Sequence, residues 1–181
     1  MIKINASYYL SLFVVIAAML NFLAGINIDM YAPSMPALAN YFHVTVSSVK
    51  TTIAISIFGW SAGCIVFGAL IDSLGRKPII TFGLVFYAVV SILAIDSHSF
   101  IEFCFIRFTQ GFLVSTVTIG CRALIIDKVI GSRYAIAMLY ASLAYSCGAV
   151  FGPFLGGFLQ YHFGWQNSKN ENLFFIVLNL E

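Results

Sequence analysis

Charge is scarce in this sequence. Only 9% of its 181 residues are Asp, Glu, Lys or Arg, while 61% are hydrophobic. Soluble domains carry roughly 25% charged residues. A water-facing surface cannot be built from so few polar groups, so a soluble fold is excluded and a lipid bilayer is the expected surrounding. The net charge of +2 is too small and too dispersed for a nucleic-acid partner. Cys64, Cys104, Cys121 and Cys147 form no C-x-x-C pair, and each lies in or near an apolar run, where cysteine behaves as a small apolar residue. His43, His98 and His162 fall near expected helix ends without ligand spacing. No nucleophile, metal or phosphate-loop constellation occurs, so neither an enzyme nor a bound metal or cofactor is expected.

Long apolar runs are abundant. A spanning helix needs about 20 mostly apolar residues, and five segments qualify, at 8–31, 51–71, 78–96, 100–123 and 135–160. The first is long for a secretory signal, has no clear small-residue cleavage site and is followed by further spans, so it reads as a retained helix. Lys3, Arg76, Lys77, Lys128 and Arg133 fall on one side of such a bundle, with Arg122 at a helix end, and Lys50 and Lys169 on the other. This bias predicts a cytoplasmic N-terminus. Residues 167–181 are polar and then apolar over only about eight residues. That is about 12 Å of helix, far short of a roughly 30 Å hydrocarbon core, so they read as a divergent, incomplete sixth span.

The stretch GALIDSLGRKPII, residues 68–80, breaks the apolar pattern. Asp72 lies near a helix C-terminus, where the helix dipole disfavours negative charge. It needs a donor, and Arg76 and Lys77 are within reach. Gly75 supplies the left-handed conformation of a tight helix exit, and Pro78 suits a first helical position. The positive-inside rule accounts for the two bases but not for Gly68 or Asp72.

Three further stretches carry polar or small residues inside spans. In GAVFGPFLGG, residues 148–157, Gly148, Gly152 and Gly156 recur every fourth residue and form a smooth groove for close helix packing. Pro153 removes a backbone hydrogen bond there, and Gly157 closes the stretch. In FIRFTQGF, residues 105–112, Arg107 sits within a span, where insertion costs about 2.5–3.5 kcal/mol at the centre and a cavity or partner is expected. Asp29 is the acid of the first span. Low dielectric favours a neutral carboxyl and a nearby cation favours the carboxylate. A proton-coupled carrier needs that competition, with Arg107 as the candidate partner of Asp29.

These motifs resemble the major facilitator superfamily. G-x-L-x-D-x-x-G-R-K is similar to the signature between its second and third helices, carried here by Gly68, Leu70, Asp72, Gly75, Arg76 and Lys77. Ser73 replaces a base common in that family. R-x-x-Q-G appears as Arg107, Gln110 and Gly111. G-x-x-x-G-P-x-x-G-G resembles the fifth-helix signature of its antiporters. D-M-Y-x-P-x-x-P-x-L, from Asp29, and CRALIID, with Arg122, Ala123 and Asp127, resemble the Bcr/CflA drug–proton antiporters. Asn21 stands where some related exporters carry a second acid.

The resemblance implies an all-α integral membrane fold: the N-terminal helical bundle of a major facilitator, five transmembrane helices plus an incomplete sixth, over residues 1–166. It implies proton-coupled multidrug efflux across the inner membrane, with the proton gradient as energy source and drug-like small molecules and protons as partners. Asp29, Arg107 and Gln110 would couple protons to substrate. Gly68, Asp72, Gly75, Arg76 and Lys77 would form a conformational latch, and Gly148, Gly152, Pro153, Gly156 and Gly157 the antiporter helix motif. Family members have twelve helices in two halves. The chain is therefore expected to be a truncated fragment, inactive alone. The alternatives are a half-transporter working as a homodimer or with a separate second half, and a non-transporting protein that interferes with an intact relative.

Overall fold

The computed structural model describes residues 6–163 apart from 96 and 130; at 6–13, 28, 95, 132, 159, 160 and 163 it describes the backbone alone. The expected tail at 167–181 lies outside the described residues.

Six α-helices follow one another, with no strand among the described residues: α1 (Ala6–Asp29), α2 (Met35–Tyr41), α3 (Val46–Leu74), α4 (Arg76–Ile95), α5 (Phe100–Lys128) and α6 (Ser132–Phe163). A 3₁₀ turn, Ala32–Ser34, joins α1 to α2. Five helical stretches are long and apolar enough to cross a membrane, matching the five expected spans. The helices overrun those spans at their ends. α3 begins at Val46 rather than 51 because the Thr45 hydroxyl accepts from the Ser48 backbone N–H at 3.2 Å, an N-cap that satisfies an orphan donor before the apolar run starts. α5 continues past 123 because Ile125 extends its inward face and is fully buried.

α5 is the central helix, in contact with α3, α4 and α1, while α1 pairs along α6. Burial on several sides explains why Val114, Ser115, Thr116, Val117 and Thr118 are all inaccessible. The opposite pattern marks the outer helix faces, where Ile65 is 80% and Val150 74% exposed. Water would not tolerate such faces over a whole bundle, but hydrocarbon does.

The glycine stripe of α6 seats α1. A Cβ built on Gly148 would strike the Phe22 carbonyl oxygen, one on Gly152 would come within 2.9 Å of the Ile26 oxygen, and one on Gly156 would strike the Met30 oxygen. Three turns of one helix thus meet three turns of the other, backbone against backbone. Gly25 of α1 returns the contact, lying against the Tyr145 carbonyl. Pro153 sits inside α6, which remains helical on both sides of it.

Candidate functional site

Two groups of polar residues stand at opposite ends of the bundle. The first surrounds the turn between α3 and α4, which is a single residue long. Gly75 caps α3 with φ 93° and ψ 162°. Positive φ was expected, but the ψ value places the residue in the extended mirror region, essentially open to glycine alone, and not in the left-handed helical one. α4 begins at once at Arg76, so Pro78 is its third residue and not its first. The position still falls within the first turn, where backbone N–H groups lack helical partners.

Arg76 organises this end. Its Nη1 donates to Asp72 Oδ1 at 2.8 Å and to the Ile71 carbonyl at 3.1 Å, near the C-terminus of α3. Its Nε and Nη2 grip both carboxylate oxygens of Asp127 on α5, at 2.7 and 3.2 Å. One guanidinium therefore neutralises two acids and supports a helix end, tying three helices together. Lys77 is exposed and forms no ion pair among the described residues, so Asp72 is served by Arg76 alone. Among the described residues, Gly68 has no atom within 4 Å of a Cβ placed there. Asp127 belonged to a recognised sequence stretch but not to the expected latch. Its position beside Lys128, in the last turn of a span, was the available signal.

The second group surrounds Arg107. The residue is 9% exposed. Its guanidinium carbon lies 3.8 Å from the centre of the Tyr31 ring and 5.0 Å from that of Phe103. Nη1 donates to Gln110 Oε1 at 3.2 Å, and Gln110 Nε2 donates to Ser91 Oγ of α4 at 3.2 Å. The buried Nε has no hydrogen-bond partner. The Tyr31 hydroxyl lies 3.1 Å from Thr52 Oγ1 of α3, which locks the ring over the cation. Desolvated cation–π contacts reach about 2 kcal/mol each and hydrogen bonds to charged groups about 1.5–3 kcal/mol. These are of the size of the arginine's insertion cost, so the cage offsets burial without an acid.

The expected Asp29–Arg107 ion pair is absent. Asp29 is partly exposed at the end of α1, and the ion pairs among the described residues are those of Arg76. The turn Met30–Tyr31 that follows Asp29 rotates the chain, so that Tyr31 rather than the carboxylate covers the guanidinium. Arg107 and Gln110 are brought together as expected, three residues apart on one helix face. Phe103 was not expected as a site residue, and Tyr31, part of the D-M-Y stretch, was not expected to cover Arg107. The i, i+4 spacing of Phe103 and Arg107 was visible in the sequence, but the approach of Tyr31 depends on α1 meeting α5. A groove of about 1100 Å³ between α1 and α6 is lined mostly by apolar residues, among them Met19, Leu23, Ile136 and Tyr140, with Arg133 at its lining, and contains neither Asp29 nor Arg107.

Comparison with known proteins agrees with this architecture. The sequence profile of the Major Facilitator Superfamily matches residues 17–178. A bicyclomycin resistance protein homolog of Haemophilus influenzae is 27% identical over 85% of this chain and 39% of its own length. A chloramphenicol resistance protein of Pseudomonas aeruginosa is 30% identical over 88% of this chain and 38% of its own. The multidrug resistance protein MdtL of a Shewanella species is 27% identical over 77% of this chain and 35% of its own. The chain thus spans less than two fifths of the length of these curated relatives. Its five spans, its turn motif and a profile match over most of its length make it a multi-pass membrane protein that belongs to the Major Facilitator Superfamily.

Proposed function

We propose that this chain supplies the N-terminal half-bundle of a proton-driven exporter of small drug-like molecules in the inner membrane, with its N-terminus cytoplasmic. The observation that carries the reading is Arg107: a buried cation held by rings and an amide, with no carboxylate among the described residues, on a helix that packs against the helix of the acid Asp29. A carrier that exchanges protons for drugs needs an acid free to bind and release a proton and a fixed positive charge that biases it. In this reading Asp29 is the proton site, Arg107 the fixed charge and Gln110 its support. Asp72, Arg76 and Asp127 hold the turn in one conformation, and the surface at Gly68 receives a second half. The relatives' resistance to bicyclomycin, chloramphenicol and other drugs supports drug-like substrates.

Because a half-bundle has one wall of a cavity that forms between two halves, transport by the isolated chain is not expected. The test is drug-induced proton release in everted membrane vesicles, with the chain joined to the second half of a relative. Asp29→Asn is expected to abolish exchange while leaving membrane insertion intact, and Arg107→Lys to reduce it strongly. Asp72→Asn is expected to slow turnover without abolishing it. Full exchange by Asp29→Asn would remove the proton-coupled reading.

A further inference from the structure

Asp29 and Arg107 do not touch, yet a line of buried polar groups connects their helices. It starts at the Gln110 amide. Its oxygen accepts from Arg107 and its nitrogen donates to Ser91 Oγ, both at 3.2 Å. Tyr87 lies one turn before Ser91 on α4 and is buried with it. Asn27 Nδ2 of α1 donates in turn to the Tyr87 hydroxyl. Gln110 is 6% and Ser91 1% exposed, so water does not substitute for the bonds of the amide; Tyr87 is 3% exposed and Asn27 is half-buried. Asn27 lies two residues before Asp29 on the same helix.

Ser91 departs from the habit of serines in this chain. Within apolar helices serine usually bonds the carbonyl one turn back, as Ser56, Ser61 and Ser146 do here. The Ser91 oxygen instead accepts from Gln110. That bond has a consequence for orientation. An amide presents an acceptor at one end and a donor at the other, and a guanidinium is satisfied only by the acceptor. An acceptor at Ser91 holds the nitrogen away from Arg107 and the oxygen toward it. Without the Ser91 hydroxyl the amide nitrogen is buried and unpaired, and the side chain gains by turning elsewhere.

We propose that Ser91, with Tyr87 and Asn27 behind it, is a positioning residue for Arg107: it fixes the Gln110 amide against the guanidinium and ties that orientation to α1. A shift of α1 that draws Asn27 from Tyr87 then loosens Arg107. This links the helix of the acid to the arginine without an ion pair. The functional meaning rests on the proton-coupled reading, but the positioning itself does not.

The test uses the 181-residue chain in detergent and the arginine-specific reagent phenylglyoxal, with modification of Arg107 and of exposed Arg122 followed by peptide mass spectrometry. In Ser91→Ala, Arg107 is expected to react on the order of fivefold faster, the factor that one lost hydrogen bond gives in an opening equilibrium. Arg122 is expected to be unchanged. Ser91→Thr, which keeps the hydroxyl, restores the slow rate, and Tyr87→Phe and Asn27→Ala give smaller accelerations. If Ser91→Ala does not fold, Tyr87→Phe, which loses a single oxygen, is read instead, with a smaller acceleration of Arg107 expected and Arg122 unchanged. An unchanged Arg107 rate would overturn the proposal. So would equal acceleration of Arg107 and Arg122, or failure of Ser91→Thr to restore protection, since those mark general loosening. Drug–proton exchange is read separately in vesicles. Its failure beside a positive phenylglyoxal result removes the transport reading and leaves the positioning standing.

Discussion

Arg76 and Arg107 stand at opposite ends of one bundle and are stabilised by different chemistry. Arg76 meets two carboxylates, and the side chains of Asp72 and Asp127 are 76% and 40% exposed. Arg107 meets two aromatic rings and an amide, away from water. Where solvent reaches, acids neutralise a base cheaply because they remain hydrated, and each exposed pair contributes only about 0.2–1 kcal/mol. Where solvent is excluded, adding an acid would require desolvating a second charge. Ring faces and an amide oxygen avoid that cost. The same contrast separates the glycines. Among the described residues, Gly148, Gly152 and Gly156 of α6 are covered by α1, while Gly68 of the turn motif is uncovered.

The largest expected effect sharpens the glycine half of this comparison. Gly148→Leu forces α1 and α6 apart where backbone meets backbone, and no rotamer relieves a clash with a carbonyl. Loss of folded protein is expected, read as the monodisperse fraction in detergent. Gly68→Leu meets nothing and is expected to leave that fraction unchanged. A well-folded Gly148→Leu protein would mean the α1–α6 seam is not as close as described.

The arginines come next. Arg107→Lys concentrates the charge on a more strongly hydrated ammonium that cannot spread over the Tyr31 ring, and is expected to cost about 2 kcal/mol. Arg107→Met removes the buried charge and is expected to be neutral or stabilising, as apolar replacements of buried charges often are. Thermal unfolding in detergent separates the two. If both variants lose the same stability, the ring cage is not what holds Arg107.

Arg76→Ala is expected to lower the unfolding temperature slightly at low salt, as exposed pairs do, and less at 1 M salt, where the screening length falls to about 3 Å. The Arg107 variants should show no such salt dependence. Equal salt sensitivity at the two ends would erase the distinction between them. A comparably small effect belongs to Thr52→Val, which removes the hydroxyl partner of Tyr31. A loss of about 0.5–1.5 kcal/mol is expected, with the Arg107→Lys penalty reduced in the double variant because the ring is already free.

Much of the turn was legible in advance. Asp72 and Arg76 are four residues apart, and a helix end, a glycine and an opening helix restrict their geometry to a few arrangements. The bidentate grip on Asp127 was not legible, because it joins residues 51 apart in sequence and depends on α5 ending beside the turn. At the other end, Arg107 and Gln110 share a face by their spacing. The expected pairing with Asp29 failed for a local reason: the direction of the chain after α1 is set by the 3₁₀ turn and Pro33, and it brings Tyr31 inward instead.

Hydropathy along the chain dictated five stretches, among the described residues, long and apolar enough to cross a membrane, because runs of about 20 apolar residues have one stable surrounding. The sequence by itself also determined which residue types recur together in the turn and in α6. Tertiary structure alone decided what each buried charge faces. Hydropathy is a sum along the chain and is read residue by residue. The partner of a buried arginine is chosen by which helices cross at its depth, and that is fixed by backbone contacts such as Gly156 against Met30, more than a hundred residues apart.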